Sequence, residues 1–268
     1  MQILVDGRRA YAATGGRALD PARPVVVFIH GAGQDHTNWQ LPARWFAWHG
    51  HAALAVDLPG HGRSEGPPLA TVPELAAWIG RLLMAAGCDR VALVGHSLGG
   101  AIALEAAAAL GPRVQRLALL ATAPALPVNE ALLAAARDQP GKAHQLITSW
   151  ALSGDAKLGG TAQPGLSLTG LSLALLARNR PGVLSADLTA CQRWNSGPEA
   201  ARRVACPSLL VIGGSDVMTP PSASLKLAQL IAGAATVTIP GSGHMLMAEA
   251  PDAVLDALIG FFAPAAAA

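Results

Sequence analysis

The stretch Val91-Ala92-Leu93-Val94-Gly95-His96-Ser97-Leu98-Gly99-Gly100 decides how this chain is read. Apolar, partly β-branched residues end in Gly-x-Ser-x-Gly, and a helical pattern of small apolar residues follows at once. That order predicts a strand, a sharp turn and a helix, with a serine at the turn. A serine hydroxyl is a poor nucleophile until the backbone holds it in the open beside a base, and such a turn does that. Gly95 and Gly99 lack the side chains that would collide across so tight a bend. The plainer alternative is an ordinary strand-to-helix turn in which Ser97 only caps the helix. In a chain with 29 glycines the pentapeptide alone does not separate the two readings.

The rest of the chain repeats the strand–helix rhythm. Residues 2–5 and 8–13 alternate apolar and polar around Asp6-Gly7, as a hairpin does. The runs 24–29 and 52–56 are continuously apolar, as expected of strands buried on both faces. Helical spacing covers 72–86, then strand 91–95, helix 98–110 and strand 116–121. After residue 200 the pattern resumes with strand 207–212, helix 221–232, strand 235–239 and helix 251–262. The alternation predicts an α/β fold: a mostly parallel, eight-stranded sheet with helices on both faces. The Pro-Ala-Ala-Ala-Ala end is expected to fray.

Residues 124–200 break the rhythm. They hold short helical patterns, no convincing strand, and Gly/Pro-rich loops such as 159–165. We read them as a helical cap inserted between two parts of one core, 1–123 and 201–268; core helices of the main domain are the alternative.

Composition narrows the class. The chain has 268 residues, 51% of them hydrophobic and only 13% charged, with a net charge of +2. A large core is affordable, and no basic stripe suggests nucleic acid. Much of the apolar excess is alanine, and no apolar stretch reaches the ~18 residues of a membrane span. The start, Met1-Gln2-Ile3-Leu4-Val5-Asp6-Gly7-Arg8, lacks the basic region and apolar core of a signal peptide. Three widely spaced cysteines, Cys88, Cys191 and Cys206, suit reduced thiols in a cytoplasmic protein.

Ser97 requires a base and an orienting acid. His244 lies in Gly241-Ser242-Gly243-His244, just after the last expected strand, and Asp216 lies in Gly213-Gly214-Ser215-Asp216, just after strand 207–212. Both loops fall at the C-terminal edge of a parallel sheet, where Ser97 also sits. The chain order Ser97, Asp216, His244 is the order expected of such a site. Singly, the Asp reads as a helix cap and the His as a surface loop residue; together they read as a triad.

With these residues in view, the chain resembles the α/β-hydrolase superfamily, in particular small bacterial lidded serine hydrolases. His30-Gly31-Ala32-Gly33 resembles the oxyanion-loop motif, Asp57-Leu58-Pro59-Gly60-His61-Gly62-Arg63-Ser64 the loop after the next strand, and Gly95-His96-Ser97-Leu98-Gly99-Gly100 the nucleophile elbow. The resemblance covers 1–123 and 201–263 but not the cap. It implies Ser97 as nucleophile, His244 as base and Asp216 as acid. Leu98 and Ala32 would be backbone oxyanion donors, with Gly33 the alternative to Ala32.

The expected reaction is hydrolysis of a small or medium uncharged ester with water, without cofactor or metal, in a monomer or homodimer. The same triad would serve a lactonase, thioesterase, carbon–carbon bond hydrolase or acyltransferase, and a non-catalytic ligand-binding role is the alternative of a different class. His30, His61, His96 and Asp57 read as structural, and His49-x-His51 as a surface loop. Trp150 and Trp194 read either as pocket walls or as residues burying the cap against the body. Arg178, Arg180 and Arg193 read as solvated.

Overall fold

The computed structural model describes residues 1–160 and 165–263. Residues 161–164 of the Gly/Pro-rich loop and the C-terminal tail expected to fray lie outside the described residues. The first half runs β1 (Gln2–Val5), β2 (Arg8–Ala13), β3 (Val25–Ile29), α1 (Gln40–Trp48), β4 (Ala52–Val56), α2 (Val72–Ala85), β5 (Val91–His96), α3 (Leu98–Leu110) and β6 (Val114–Leu120). Then come α4 (Glu130–Asp138), α5 (Pro140–Ala151), α6 (Gly154–Lys157), α7 (Leu168–Ala177), α8 (Val183–Arg193) and α9 (Gly197–Arg203). The chain closes with β7 (Ser208–Gly213), α10 (Pro221–Leu230), β8 (Ala235–Ile239), α11 (Leu246–Glu249) and α12 (Pro251–Phe262).

Eight strands form one sheet in the order β1-β2-β4-β3-β5-β6-β7-β8. The β1–β2 and β2–β4 pairings are antiparallel and the other five parallel. Alternation along β3 explains the layers. Val25, Val27 and Ile29 pack into a core shared with α2 and α3, whereas Val26 and Phe28 face a second core with α1 and α12. All five side chains are buried, and each contributes roughly 1.5–3 kcal/mol relative to exposure. Edge strand β8 is mostly exposed. β6 starts at Val114, two residues before the sequence pattern suggests, because Val114 already pairs with Val91 of β5.

The chain runs from β3 out to β4, then returns to place β5 on the other side of β3. The loops after β3 and β5 therefore diverge at a point where the winding reverses, and that crevice is where open α/β sheets bind ligands. Residues 124–200 cover this edge with short helices, and no strand occurs among their described residues. The end of that segment is bound into the body: Cys191, Trp194, Ala200 and Ala201 belong to the α2/α3 core.

Candidate active site

Ser97 follows β5 with φ 54° and ψ −119°, a left-handed conformation that costs a residue with a side chain about 1–3 kcal/mol. It occupies the N-cap position of α3, yet its hydroxyl makes no capping bond. Its Oγ instead lies 2.9 Å from His244 Nε2. A Cβ on Gly95 would overlap the Gly99 carbonyl, and one on Gly99 would overlap the Ile29 and His30 carbonyls. The two glycines thus let the elbow close on itself and α3 start against the end of β3.

His244 and Asp216 converge on the same point. His244 Nδ1 is 2.8 Å from Asp216 Oδ2, and both side chains are buried. Asp216 Oδ1 accepts from the Met218 and Thr219 amides at 2.8 and 2.9 Å, so the carboxylate is pinned on both oxygens. A carboxylate accepts only, so Nδ1 carries the proton and Nε2 is left to accept from Ser97. Asp216 does not cap α10, whose first residue is Pro221.

The loop after β3 has its amides distributed differently. Gly31 N–H donates to Gln34 Oε1 (3.0 Å), and Gly33 N–H donates to Asp187 Oδ2 (2.8 Å). The amides of Ala32 and Leu98 have no protein acceptor among the described residues. Gly33 has φ 65°, and a Cβ there would press on Leu176 of α7.

The structural histidines tie these loops together. His30 accepts from the Leu58 amide (3.1 Å) and faces its neighbour's carbonyl at Gly31 (2.9 Å). His96 Nε2 donates to the His244 carbonyl (2.9 Å). Burial, helped by a neighbouring histidine in each case, lowers His30 to about 4 and His96 to about 3, so both are neutral. Asp57 accepts from the His36 amide and the Arg63 amide, each at 2.8 Å, and organises its loop as expected. Burial alone would raise its pKa; hydrogen bonds from His36 and Arg63 outweigh that and lower it.

A cavity of about 40 Å³ lies above Ser97, lined by Ala32, Ile147, Leu175, Leu188, Met218 and His244 among others. A larger groove of about 480 Å³ adjoins it, sharing Ser172, Leu175 and Met245 as a common wall. The cavity lining includes no Lys or Arg. Neither Trp150 nor Trp194 lines the cavity. Trp194 is buried against α3, with Nε1 donating to Glu105 (2.8 Å), and Trp150 packs among α4, α5, α7 and α8. Two arginines read as solvated have partners: Arg178 pairs with Asp35 (2.7 Å), and Arg180 donates to the Gly62 carbonyl (3.3 Å).

Sequence reasoning missed two carboxylates. Asp187 of α8 contacts the β3 loop and His61 (2.8 Å). Glu249 Oε2 accepts from the Gly243 and Ser153 amides (3.0 and 3.1 Å), fixing the turn before His244 to the end of α5. Both stand outside any motif, and only their partners across the fold identify them.

A model of the family described as alpha/beta hydrolase matches residues 26–257. The chain belongs to the alpha/beta hydrolase family. This alpha/beta hydrolase is 31% identical over 250 residues to a 2-succinyl-6-hydroxy-2,4-cyclohexadiene-1-carboxylate synthase of Salmonella newport, a match covering 89% of this chain and 93% of that protein. It is 39% identical over 119 residues to the dihydrolipoyllysine-residue acetyltransferase component of the acetoin cleaving system of Cupriavidus necator. That match spans 43% of this chain and 30% of the longer protein. Among solved structures, the enol-lactonase from Burkholderia xenovorans LB400 superposes with a TM-score of 0.86 at 22% identity, covering 97% of this chain and 99% of that one, which is a likeness of fold. A thermophilic esterase superposes with a TM-score of 0.79 at 27% identity, covering 97% and 96%. Among the described residues no helix of this hydrolase is long and apolar enough to cross a membrane.

Proposed function

We propose that the protein hydrolyses small or medium, largely uncharged carboxylic esters through an acyl-enzyme on Ser97. The observation that carries this reading is the continuous line Ser97 Oγ, His244, Asp216, with successive separations of 2.9 and 2.8 Å. His244 Nε2 takes the Ser97 proton as Oγ attacks the acyl carbon. The carbonyl oxygen becomes an oxyanion, met by the amides of Leu98 and Ala32. Gly33 is the weaker choice for the second donor, because Asp187 already occupies its amide. Each such donor is worth about 10²–10³ in rate. His244 then passes its proton to the leaving alcohol and the C–O bond breaks. Water, deprotonated by His244, attacks the acyl-enzyme, and the acid departs as Ser97 regains its proton.

Residues 1–123 and 201–268 form the body in this reading, and 124–200 the cap that shapes the substrate cavity. Its apolar lining without Lys or Arg favours an uncharged acyl group over a carboxylate such as the one in the synthase's name. Water and the ester are the only partners the reaction requires, in a monomer or homodimer. The three unpaired cysteines suit a cytoplasmic location. Lactone, thioester and carbon–carbon substrates, and acyl transfer to alcohols, use the same triad and belong in the test panel.

The test is turnover of p-nitrophenyl acetate and butyrate by wild type and Ser97→Ala. Wild-type turnover, with a loss of about 10⁴ or more in the variant, is expected. Equal and negligible rates in both would favour a ligand-binding role instead, and clear preference for a vinylogous diketone would move the assignment to carbon–carbon hydrolysis.

A further inference from the structure

The β3 loop is held from the cap, by residues about 150 positions away in sequence. Asp187 is buried on α8, and its Oδ2 accepts from both the Gly33 amide (2.8 Å) and His61 Nε2 (2.8 Å). Its Oδ1 is buried with no partner among the described residues. Asn179, just after α7, donates to the Gly33 carbonyl (2.6 Å), and Arg178 pairs with Asp35 at the end of the loop. Both sides of the Gly33 residue are therefore gripped by cap side chains. A half-satisfied buried carboxylate is a poor choice for stability alone, where an apolar residue of similar size would serve better.

His61 is also committed on both nitrogens. Nδ1 faces the Pro59 carbonyl (3.1 Å) and Nε2 the Asp187 carboxylate, two acceptors. A neutral imidazole donates from one nitrogen only, so the ring meets both as an imidazolium.

We propose that Asp187, charge-paired with His61, is a positioning residue that sets the Ala32–Gly33 segment from the cap, so that docking of the cap completes the oxyanion site. This rests on the ester-hydrolase reading above. Asp187 does not touch the reacting atoms; it removes the Gly33 amide from competition and fixes the peptide plane beside the Ala32 donor. The groups facing His61 are Asp187 from α8, Asp57 from its own loop and the His30 ring at 4.9 Å. Burial alone would lower its pKa, but the Asp187 charge and hydrogen bond prevail and it is raised. The imidazolium is present below that raised pKa and lost as pH rises through it, so an alkaline fall in kcat is expected.

The experiment compares wild type, Asp187→Asn and His61→Gln in kcat, KM and inhibition by n-butylboronic acid, whose tetrahedral serine adduct occupies the oxyanion site. In Asp187→Asn, kcat is expected to fall about 10- to 100-fold with KM nearly unchanged, and boronate affinity to fall by the same factor. His61→Gln keeps a neutral donor toward Asp187 without a titrating ring; its kcat is expected to match the reduced alkaline level of wild type and to show no alkaline fall. Unchanged kcat in Asp187→Asn, a loss confined to KM, or an alkaline fall that persists in His61→Gln would overturn the proposal. Wild type with neither turnover nor boronate binding would sink the ester reading and this proposal with it. Wild-type activity with an unaffected Asp187→Asn sinks this proposal alone.

Discussion

The turn at Ser97 and the loop at Gly33 meet at one crevice, yet they are held by different means. The elbow is held by its own backbone: Gly95 and Gly99 remove two Cβ atoms, and the Ser97 amide donates to Leu120 of the neighbouring strand (2.9 Å). The Gly33 loop is held by side chains that arrive from residues 124–200, Asp187 and Asn179. The turn carrying His244 is also reached from residues 124–200, but through backbone: the Ala151 carbonyl, at the end of α5, accepts from the amides of His244 and Met245 (2.8 and 3.2 Å). The turn closes on bonds of its own strand and helix; the other two loops take bonds from residues 124–200. Ser97 is therefore placed by its own turn, while the loops carrying Ala32 and His244 are bonded to residues 124–200.

The largest effect that probes this contrast is chemical. Asp216→Asn should keep the fold and the elbow but lose about 10³–10⁴ in turnover, because the amide no longer holds the productive His244 tautomer. Near-normal turnover would mean that another carboxylate orients the base.

Acid should weaken the ties between these loops, which run through His30 and His96. His30 and His96 are neutral in the folded state, at about 4 and about 3, while an unfolded histidine titrates near 6.5. Their contribution is full above the unfolded value and falls as pH drops toward the folded values, by about 1.4 kcal/mol per pH unit for each ring. His61, whose pKa is raised, is already protonated in this window and does not offset the loss. Urea midpoints should fall steeply from pH 6.5 to 4, and a flat profile would refute the assignment of two neutral buried rings.

A smaller effect belongs to the wall between the cavity above Ser97 and the adjoining groove. Leu175→Ala should open the cavity toward the groove and shift the preferred ester by a few carbons, with a change of about 10-fold in kcat/KM ratios between short and long chains. An unchanged chain-length profile would show that this wall does not shape the substrate site. The smallest effect lies at the root of the cap. Trp194→Phe removes the hydrogen bond to Glu105 and should cost about 1 kcal/mol of stability by denaturant melt, with kcat unaltered.

The same contrast explains what the sequence disclosed. Buried strands such as 25–29 and 52–56 announce themselves as apolar runs, and the elbow announces itself through glycines whose spacing is a local steric demand. Asp216 and His244 were legible because each follows a strand at the same sheet edge. Asp187, Asn179 and Glu249 were not, because their roles exist only through partners distant in the chain or through loop amides that carry no sequence signature. Trp194 left two readings open, pocket wall or burial against the body, and the second holds because α9 and the end of α8 pack down onto the α2/α3 core.

The most direct test is intact-mass analysis of the protein mixed rapidly with p-nitrophenyl butyrate, followed by peptide mapping. A transient adduct of one butyryl group on the peptide carrying Ser97, absent in Ser97→Ala together with turnover, is the predicted result. Turnover that persists in Ser97→Ala, or an acyl group mapped to another residue, would contradict the account.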